Sequence, residues 1–203
     1  MNQVLWDGLP ITPSKIVCVG RNYVEHIQEL NNDVPEQMVL FVKPNSAISS
    51  VLMSHHLEPL HYEAELCFMV ADGAFKAVGL GLDLTKRQLQ SELKAKGLPW
   101  ERAKGFDGSA LFSEFVTIAQ DSDELSFTLH VDGALRQQGD VGLMIHKPDA
   151  IYKEISEFMT LNDGDIVMTG TPKGVGVINA EEVFTLQMQH NGGTNIESRW
   201  QAQ

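Results

Sequence analysis

The chain of 203 residues is poor in cysteine and in positive charge, and both shortages narrow the possible functions. Its two cysteines, Cys18 and Cys67, lie in apolar runs and form no Cys-x-x-Cys pair. We therefore expect buried thiols in a reducing compartment, and a cytoplasmic protein. Against 27 Asp and Glu residues stand 15 Lys and Arg residues, which gives a net charge of −12. That charge argues against non-specific binding to nucleic acids or anionic membranes.

Long apolar runs and nucleotide-binding motifs are also missing. Without a stretch of about 18 apolar residues, no transmembrane helix is expected, and residues 1–10 lack the pattern of a signal peptide. Gly79 and Gly81 resemble the beginning of a dinucleotide fingerprint, but Leu84 occupies the position of its third glycine. The glycine-rich segment 170–176 lacks the Gly-Lys-Ser/Thr order of a phosphate loop. A nucleotide cofactor is therefore not expected.

What remains predicts a single α+β domain over residues 1–203. Short apolar runs predict strands at 15–19, 39–42, 63–71, 77–84, 127–131, 134–136, 166–169 and 183–188. Asp-Gly pairs at 72–73 and 132–133 predict tight turns between strands. Because the strands do not alternate regularly with helices, α+β is favoured over a doubly wound sheet.

Three helices are predicted from apolar residues that recur at helical spacing, at 22–30, from 85 to near 97, and at 151–158. Thr85 and Gln88 have the spacing of a capping box at the second helix. The expected buried positions are Tyr23, Ile27 and Leu30 in the first helix, Leu89 and Leu93 in the second, and Ile151, Ile155 and Phe158 in the third. The polar segment 31–35 is the most probable loop-rich stretch.

Two glutamates beside an apolar run are the first candidate for chemistry. Glu63 and Glu65 lie on one face of a predicted strand, with backbones about 6.6 Å apart. Like charges next to a core are costly unless something neutralises them, and a divalent cation does so directly. Ligation by oxygen alone favours Mg²⁺, Mn²⁺ or Ca²⁺ over zinc. Asp83, at the end of an apolar strand, can add a third carboxylate. The alternative is a solvent-facing strand and an ordinary turn residue.

Two pairs of polar residues on helices, and one lysine, are further candidates for the site. Arg87 and Gln90 share one face of the second helix, and His26 and Glu29 share one face of the first. A carboxylate next to an imidazole orients the ring and raises its basicity. Lys104 lies in a mixed apolar and glycine segment that could hold it close to the chain. The alternatives are solvated helix faces, a surface salt bridge and an exposed lysine.

Six segments, taken in order, resemble the fumarylacetoacetate hydrolase family, and most closely its short, single-domain acylpyruvase-like branch. They are CVGRNYVEHIQEL (18–30), FVKPNSAI (41–48), HYEAEL (61–66), GLDLTKRQLQ (81–90), KGLPWERAKGFD (96–107) and LNDGDIVMTGTPKGVG (161–176). The resemblance implies a mixed β-sandwich or β-roll, a homodimer, and a divalent cation, usually Mg²⁺ or Mn²⁺. The cation ligands implied are Glu63, Glu65 and Asp83.

The same resemblance assigns roles to the other candidates. It implies that Arg87, Gln90 and Lys104 stabilise negative charge on an oxygen, and that His26 and Glu29 activate water. It also implies that Arg21 and Thr171 contact substrate. The link between Glu65 and Asp83 is shorter than the family pattern implies.

The implied substrates are 2-oxo acids with a second carbonyl or carboxylate group, which react through an enolate that the cation stabilises. Hydrolysis of a C–C bond in acylpyruvates is the favoured reaction, because both His26 and Glu29 are present. The alternatives are oxaloacetate decarboxylation, tautomerisation, or isomerisation of 2-hydroxy-dienoates at the same site. A non-catalytic 2-oxo acid-binding protein and, more remotely, an interaction protein are the readings from other classes.

Overall fold

The computed structural model describes residues 1–29, 35–118, 124–189 and 196–203. The predicted loop at 31–35 lies outside the described residues, except for Pro35. The helices are α1 (Val24–Glu29), α2 (Arg87–Ala95), α3 (Glu101–Lys104) and α4 (Pro148–Phe158). The strands are β1 (Val4–Trp6), β2 (Leu9–Ile11), β3 (Lys15–Gly20), β4 (Val39–Pro44), β5 (His61–Tyr62), β6 (Ala64–Ala71), β7 (Ala74–Asp83), β8 (Ala110–Phe112), β9 (Val116–Thr117), β10 (Ser126–Val131), β11 (Ala134–Asp140), β12 (Ile166–Met168), β13 (Gly176–Val177), β14 (Val183–Gln189) and β15 (Ile196–Gln201). Among the described helices, none combines the length and the apolar character needed to cross a membrane.

Two sheets dominate the described part of the chain. The larger is mixed, in the order β4-β3-β12-β6-β7-β8, with β9 also paired to β7. Only the β3–β12 pair in this sheet is parallel, as far as the described strands show. The smaller sheet is antiparallel, in the order β11-β10-β14-β15. Among the described elements, strands outnumber helices without βαβ repetition, which confirms the predicted α+β class.

The larger sheet is buried on both faces, which explains its continuous apolar runs. One face packs against the smaller sheet, so that Phe68 and Leu80 share a cluster with Phe127 and Leu186. This is the predicted β-sandwich. The other face holds Cys18 and Cys67, both free and fully buried as expected, in a second cluster.

The strand and turn predictions are largely confirmed. The hairpins β6–β7 and β10–β11 are closed at Asp72-Gly73 and Asp132-Gly133, and all four of these residues have positive φ, as a type I′ turn requires. The two-residue turn also accounts for the short link between Glu65 and Asp83. One difference is that β7 begins at residue 74 and not at 77.

Two details of the first two helix predictions are wrong. Helix α2 begins at Arg87 without a side-chain cap, because Thr85 instead pairs with His61 as an extension of the sheet. Tyr23 is buried but precedes α1, since it forms an isolated bridge to Met144. In the third predicted helix, which is α4, Ile151 and Ile155 are buried against the sheet.

The remaining apolar positions of the predicted helices agree with the prediction only in part. Phe158, at the end of α4, is 62% exposed because the last turn extends beyond the sheet. On α2, Leu93 is buried as predicted but Leu89 is only partly buried, whereas Gln90 is buried. The inner face of α2 is therefore more polar than the sequence predicts. Leu30, the third apolar position of the first predicted helix, lies outside the described residues.

The glycines of β7 serve packing and not nucleotide binding. A Cβ atom on Gly81 would lie 2.7 Å from Cys67 Sγ, closer than two such atoms approach. The absence of a side chain lets β6 and β8 pack tightly beside the chain that carries Asp83. This agrees with the rejection of the dinucleotide motif.

Candidate active site

One cavity collects nine of the ten predicted site residues. It lies at the end of β6 and β7 and is closed by α1, α2, α3 and the segment after β12. The predicted residues that line it are Arg21, His26, Glu63, Glu65, Asp83, Arg87, Gln90, Lys104 and Thr171. The cavity offers about 30 Å³ to the centres of water-sized molecules, which is room for about two waters. Glu29 is the one predicted residue that does not line the cavity.

Strand register brings the three acidic residues together. Asp83 N donates to Glu63 O over 2.8 Å, so these two residues lie opposite each other at the open end of the β6–β7 pair. Glu65 lies two residues further along β6, opposite Gly81. One carboxylate oxygen from each of the three residues lies within 4.8 Å of the others, and all three residues are buried. The structure thus brings the three predicted cation ligands together.

Cationic side chains surround the trio. Lys104 Nζ lies 2.8 Å from Glu63 Oε2 and 2.7 Å from Asp83 Oδ2. Arg87 forms a close ion pair with Glu63 Oε1. Lys43 Nζ lies 2.8 Å from Asp83 Oδ1 and is itself fully buried. The sequence analysis expected a metal ion to neutralise the carboxylates, whereas this arrangement already contains three protein cations.

These ion pairs separate the protonation behaviour of the two glutamates. Burial alone would raise the pKa of Glu63, but Lys104 and Arg87 outweigh burial and lower it. The pKa of Glu65 is raised well above its usual value by burial, and by the charges of Asp83 and Glu63. Burial opposes the charge of Lys104, but Asp83 and Glu63 raise its pKa overall, so it stays an ammonium.

The glycine-rich segment 170–176 binds protein carboxylates with its backbone. Gly170 N donates to Glu65 Oε2 over 2.7 Å, and Gly174 N donates to both oxygens of Glu29 over 3.0 and 3.1 Å. Gly174 has a φ of +98°, and a Cβ atom there would lie 2.0 Å from Arg136 O, so no other residue fits. The segment therefore orients two acidic groups of the site, a role that the sequence analysis did not predict.

His26 and Glu29 form the predicted pair on α1. His26 Nδ1 lies 3.3 Å from Glu29 Oε2, and the ring is buried at the cavity wall. Burial lowers the pKa of His26 despite the nearby acidic groups Glu63 and Glu29. The ring is therefore neutral at physiological pH and can accept a proton.

Thr171 uses its hydroxyl within the protein. Its Oγ1 donates to Ala64 O over 2.8 Å and accepts from Gln137 Nε2 over 2.8 Å. Gln137, which is buried, also bonds Ala64 N over 2.9 Å and Pro172 O over 2.8 Å. These bonds hold the chain between Glu63 and Glu65 against the segment after β12.

Four residues at or near the cavity were not among the predicted site residues: Lys43, Thr85, Lys94 and Gln137. Lys43 carried a usable signal, since it is a lysine within an apolar strand run, FVKP. Thr85 accepts a 2.6 Å hydrogen bond from Lys104 Nζ, which no local pattern reveals. Lys94 lines the cavity beside Trp100. It lies on α2, whereas Asp83 ends β7, so no local pattern links the two residues.

The donor set fits a hard divalent cation. Its three carboxylates offer oxygen ligands only, as Mg²⁺ and Mn²⁺ prefer. Asp83 Oδ1 is buried without an aligned hydrogen-bond donor, although Lys43 Nζ lies near it. Burial, together with the charges of Asp83 and Glu63, raises the pKa of Glu65, and a bound cation would offset both effects. A cation would therefore satisfy both groups.

Comparison with known proteins identifies the family. The model of the fumarylacetoacetate (FAA) hydrolase C-terminal family matches residues 15–197. The chain belongs to the fumarylacetoacetate hydrolase family. This family match agrees with the ordered segments described above and with the sandwich fold.

Among the family's curated members, an oxaloacetate tautomerase of Escherichia coli is 38% identical over 201 aligned positions, covering 89% of this chain and 92% of the relative. A crystal structure from Oleispira antarctica, provisionally assigned as a fumarylacetoacetate isomerase/hydrolase, has a TM-score of 0.91 and 32% identity, with 100% of both chains covered. Fumarylpyruvate hydrolase from Pseudomonas aeruginosa, solved with Mn²⁺ and pyruvate, has a TM-score of 0.85 and 27% identity, covering 100% of this chain and 96% of that one. Proteins similar to this chain thus include an oxaloacetate tautomerase and a fumarylpyruvate hydrolase.

Proposed function

We propose that this protein is a divalent-cation-dependent enzyme that interconverts the keto and enol forms of a small 2-oxo acid, with oxaloacetate as the substrate to test. The observation that carries the proposal is the buried carboxylate trio beside Lys104 and a neutral His26 in one small cavity. The Escherichia coli relative, named an oxaloacetate tautomerase, supports the reaction. The small cavity supports a compact substrate.

Glu63, Glu65 and Asp83 would hold Mg²⁺ or Mn²⁺, with Ca²⁺ also compatible with oxygen ligands. When bound, such a cation supplies Lewis-acid polarisation of the oxygens of a 2-oxo acid. It also adds positive charge locally to a chain with a net charge of −12, which would otherwise repel an anionic substrate.

His26 is the proposed base. Because the Glu29 carboxylate accepts the Nδ1–H, the neutral ring carries its lone pair at Nε2. Nε2 can take a proton from C3 of the keto acid, and a proton added at the C2 oxygen completes the enol. The reverse steps regenerate the ketone, so no atom is gained or lost. General-base catalysis of this kind contributes about 10²–10⁴-fold.

Lys104, Arg87 and Gln90 are proposed to stabilise the negative charge that develops when the C3 proton leaves. Lys104 stays charged, and it is held by Glu63, Asp83 and Thr85, so its ammonium needs little reorganisation. Arg87 is oriented by a 3.1 Å bond to Gln90 Oε1. Arg21 and Thr171, which also line the cavity, complete the proposed substrate contacts.

Hydrolysis of a C–C bond in acylpyruvates is the second candidate. The same His26–Glu29 geometry could draw a proton from water, which would attack the distal carbonyl. The C–C bond beside that carbonyl would then break, giving a carboxylic acid and the enolate of pyruvate, which takes up a proton. The fumarylpyruvate hydrolase from Pseudomonas aeruginosa supports this reading at the level of the fold. Decarboxylation of oxaloacetate would need no positioned water: the C3–C4 bond of the keto form breaks, CO₂ leaves, and the resulting enolate of pyruvate takes up a proton at C3. A protein that only binds 2-oxo acids would turn over none of these compounds.

The test is a side-by-side assay with Mg²⁺ or Mn²⁺. The rate of oxaloacetate enolisation is followed by the ultraviolet absorbance of the enol, pyruvate release reports decarboxylation, and acetylpyruvate loss reports hydrolysis. We expect the tautomerase rate to be the largest. It should fall at least about 100-fold in His26→Asn and remain unchanged in His55→Asn, a control at an exposed residue.

Two results would overturn this proposal. One is a wild-type protein whose acetylpyruvate hydrolysis exceeds its tautomerase activity, which would favour the second candidate. The other is a Glu65→Gln variant that keeps full activity in the presence of a chelator, which would remove the role of the carboxylate trio.

We further propose that the protein acts as a single-domain homodimer in the cytoplasm. The free, fully buried Cys18 and Cys67 are consistent with a reducing compartment. Sedimentation equilibrium at several concentrations tests the dimer, and a monomer across the range would refute it.

A further inference from the structure

The inner face of α2 carries a polar stripe that continues past the residues of the proposed mechanism. Arg87, Gln90 and Lys94 recur at i, i+3 and i+7, so they lie on one face of the helix, and all three line the cavity. Lys94 begins about 10 Å along the helix axis from Arg87 at 1.5 Å per residue. The helix thus offers a second cation at a distance from the carboxylate trio.

Lys94 differs from the other cations of the cavity in its partners. Lys43, Lys104 and Arg87 each pair with a carboxylate of the trio. Across the four described ranges, no carboxylate oxygen comes within 4 Å of Lys94 Nζ, which instead lies 4.8 Å from the centre of the Trp100 ring. This cation–π contact holds the ammonium near the Trp100 ring.

A further cation reaches the same cavity from β3. Arg21 follows the last residue of that strand and has a φ of +58°, an uncommon conformation for a residue other than glycine. Burial, together with the charges of Arg21 and Arg87, lowers the pKa of Lys94 to about 8. The three cations therefore repel one another, and an anion bound between them would relieve that repulsion.

We propose that Lys94, assisted by Arg21, binds a second carboxylate of the substrate, so that the site selects dicarboxylic 2-oxo acids over those with a neutral tail. The inference rests on the proposed function, because it assumes that the 2-oxo acid end of the ligand lies at the carboxylate trio. The inference adds the substrate class: the 2-oxo acid end of the substrate lies at the carboxylate trio, and Lys94 binds the carboxylate at the opposite end.

The test compares two stable ligands that differ at the distal end, 2-oxoglutarate and 2-oxopentanoate. Their affinities for the Mn²⁺-loaded protein are measured by calorimetry in wild type, Lys94→Gln and Lys94→Arg. The matched control is Lys96→Gln, an exposed lysine at the end of the same helix. We expect wild type and the control to prefer the dicarboxylate by about tenfold or more. Lys94→Gln should bring the ratio near one, and Lys94→Arg should keep most of it.

A second measurement separates failure of this inference from failure of the proposed function. In Lys94→Gln, the KM for oxaloacetate should rise about tenfold with kcat nearly unchanged, while acetylpyruvate kinetics stay as in wild type. Equal loss of affinity for both ligands, or an unchanged ratio, would overturn the role of Lys94 even if tautomerase activity is found. A dicarboxylate preference that depends on Lys94, in a protein without turnover, would overturn only the proposed function.

Discussion

Replacing Lys43 with methionine tests the electrostatic account of the site most directly. Methionine nearly preserves the length and volume of the lysine stem but removes its charge. In the wild-type protein, Lys43 Nζ lies 2.8 Å from Asp83 Oδ1 and donates to Ser109 O over 3.0 Å and to Lys104 O. The Lys43 side chain is fully buried, so water cannot replace these contacts. The variant therefore leaves one oxygen of Asp83 buried without compensation.

Breaking a buried ion pair by removing one partner costs about 3–5 kcal/mol of unfolding free energy. For a chain of this size, that loss corresponds to a decrease in melting temperature of about 6–20 °C. The loss should be smaller with saturating Mg²⁺ or Mn²⁺, because the cation supplies the positive charge that Asp83 has lost. For the same reason, the variant should bind the cation more tightly than wild type does.

The assay is urea-induced unfolding followed by circular dichroism, with a divalent cation or with chelator. Lys153→Met, at an exposed position of α4, is the matched control and should change stability by less than about 0.5 kcal/mol. A loss below about 1 kcal/mol in Lys43→Met would match an exposed ion pair and refute the reasoning. A loss of stability that is the same with and without the divalent cation would also refute it, because the cation and Lys43 would then not both interact with Asp83.

Three other predictions follow from the same geometry. Gln137→Leu should lower the unfolding free energy by at least about 2 kcal/mol. It should also weaken Mn²⁺ binding, because the Gln137 amide connects Ala64, between the two glutamates, with Thr171. Unchanged Mn²⁺ affinity in calorimetry would contradict the proposal that Gln137 positions the glutamates. Burial opposes the charge of Asp165, but the hydrogen bonds to it lower its pKa below the usual 3.8. The stability that this carboxylate provides is thus fully present above 3.8 and lost as the pH falls through the lowered pKa of the folded state. Asp165→Asn should therefore cost about 1.5–3 kcal/mol at neutral pH and progressively less as the pH falls below 3.8; a cost that does not change with pH would be inconsistent with it. Burial and the neighbouring carboxylates raise the pKa of Glu65, so cation binding should release a proton, and the affinity for the cation should rise by up to about tenfold per pH unit while Glu65 is protonated. Calorimetry in buffers of different ionisation enthalpy measures that proton. If no proton is released, Glu65 is not a cation ligand.

Much of the scaffold was predictable because it depends on local sequence. Apolar runs predicted both strands of the β6–β7 hairpin, and Asp72-Gly73 predicted its turn, since only residues that tolerate positive φ fit there. The face of α1 was predictable for a similar reason: His26 and Glu29 at i, i+3 must be neighbours on any helix. The hard-cation chemistry followed from residue type alone.

The convergence of the three carboxylates was not decided locally. A two-residue turn at 72–73 would by itself pair Glu63 with Leu82, which would put the glutamates and Asp83 on opposite faces of the sheet. A register shift between Met69 and Val70 adds one residue to β7, so that Glu63 instead lies opposite Asp83. All three side chains then share a face.

The sequence by itself therefore determined the elements, the hairpin turns and the kinds of groups available for chemistry, because propensity, turn conformation and ligand type are properties of short segments. Tertiary structure alone decided which groups meet. Lys43 and Lys104 reach the carboxylates, and Gln137 reaches the backbone of Ala64 between the two glutamates, only after distant segments have packed. The burial that shifts the pKa values of His26 and Glu65 likewise exists only in the folded core. Charge and proton affinity at this site are consequences of packing, which no local pattern records.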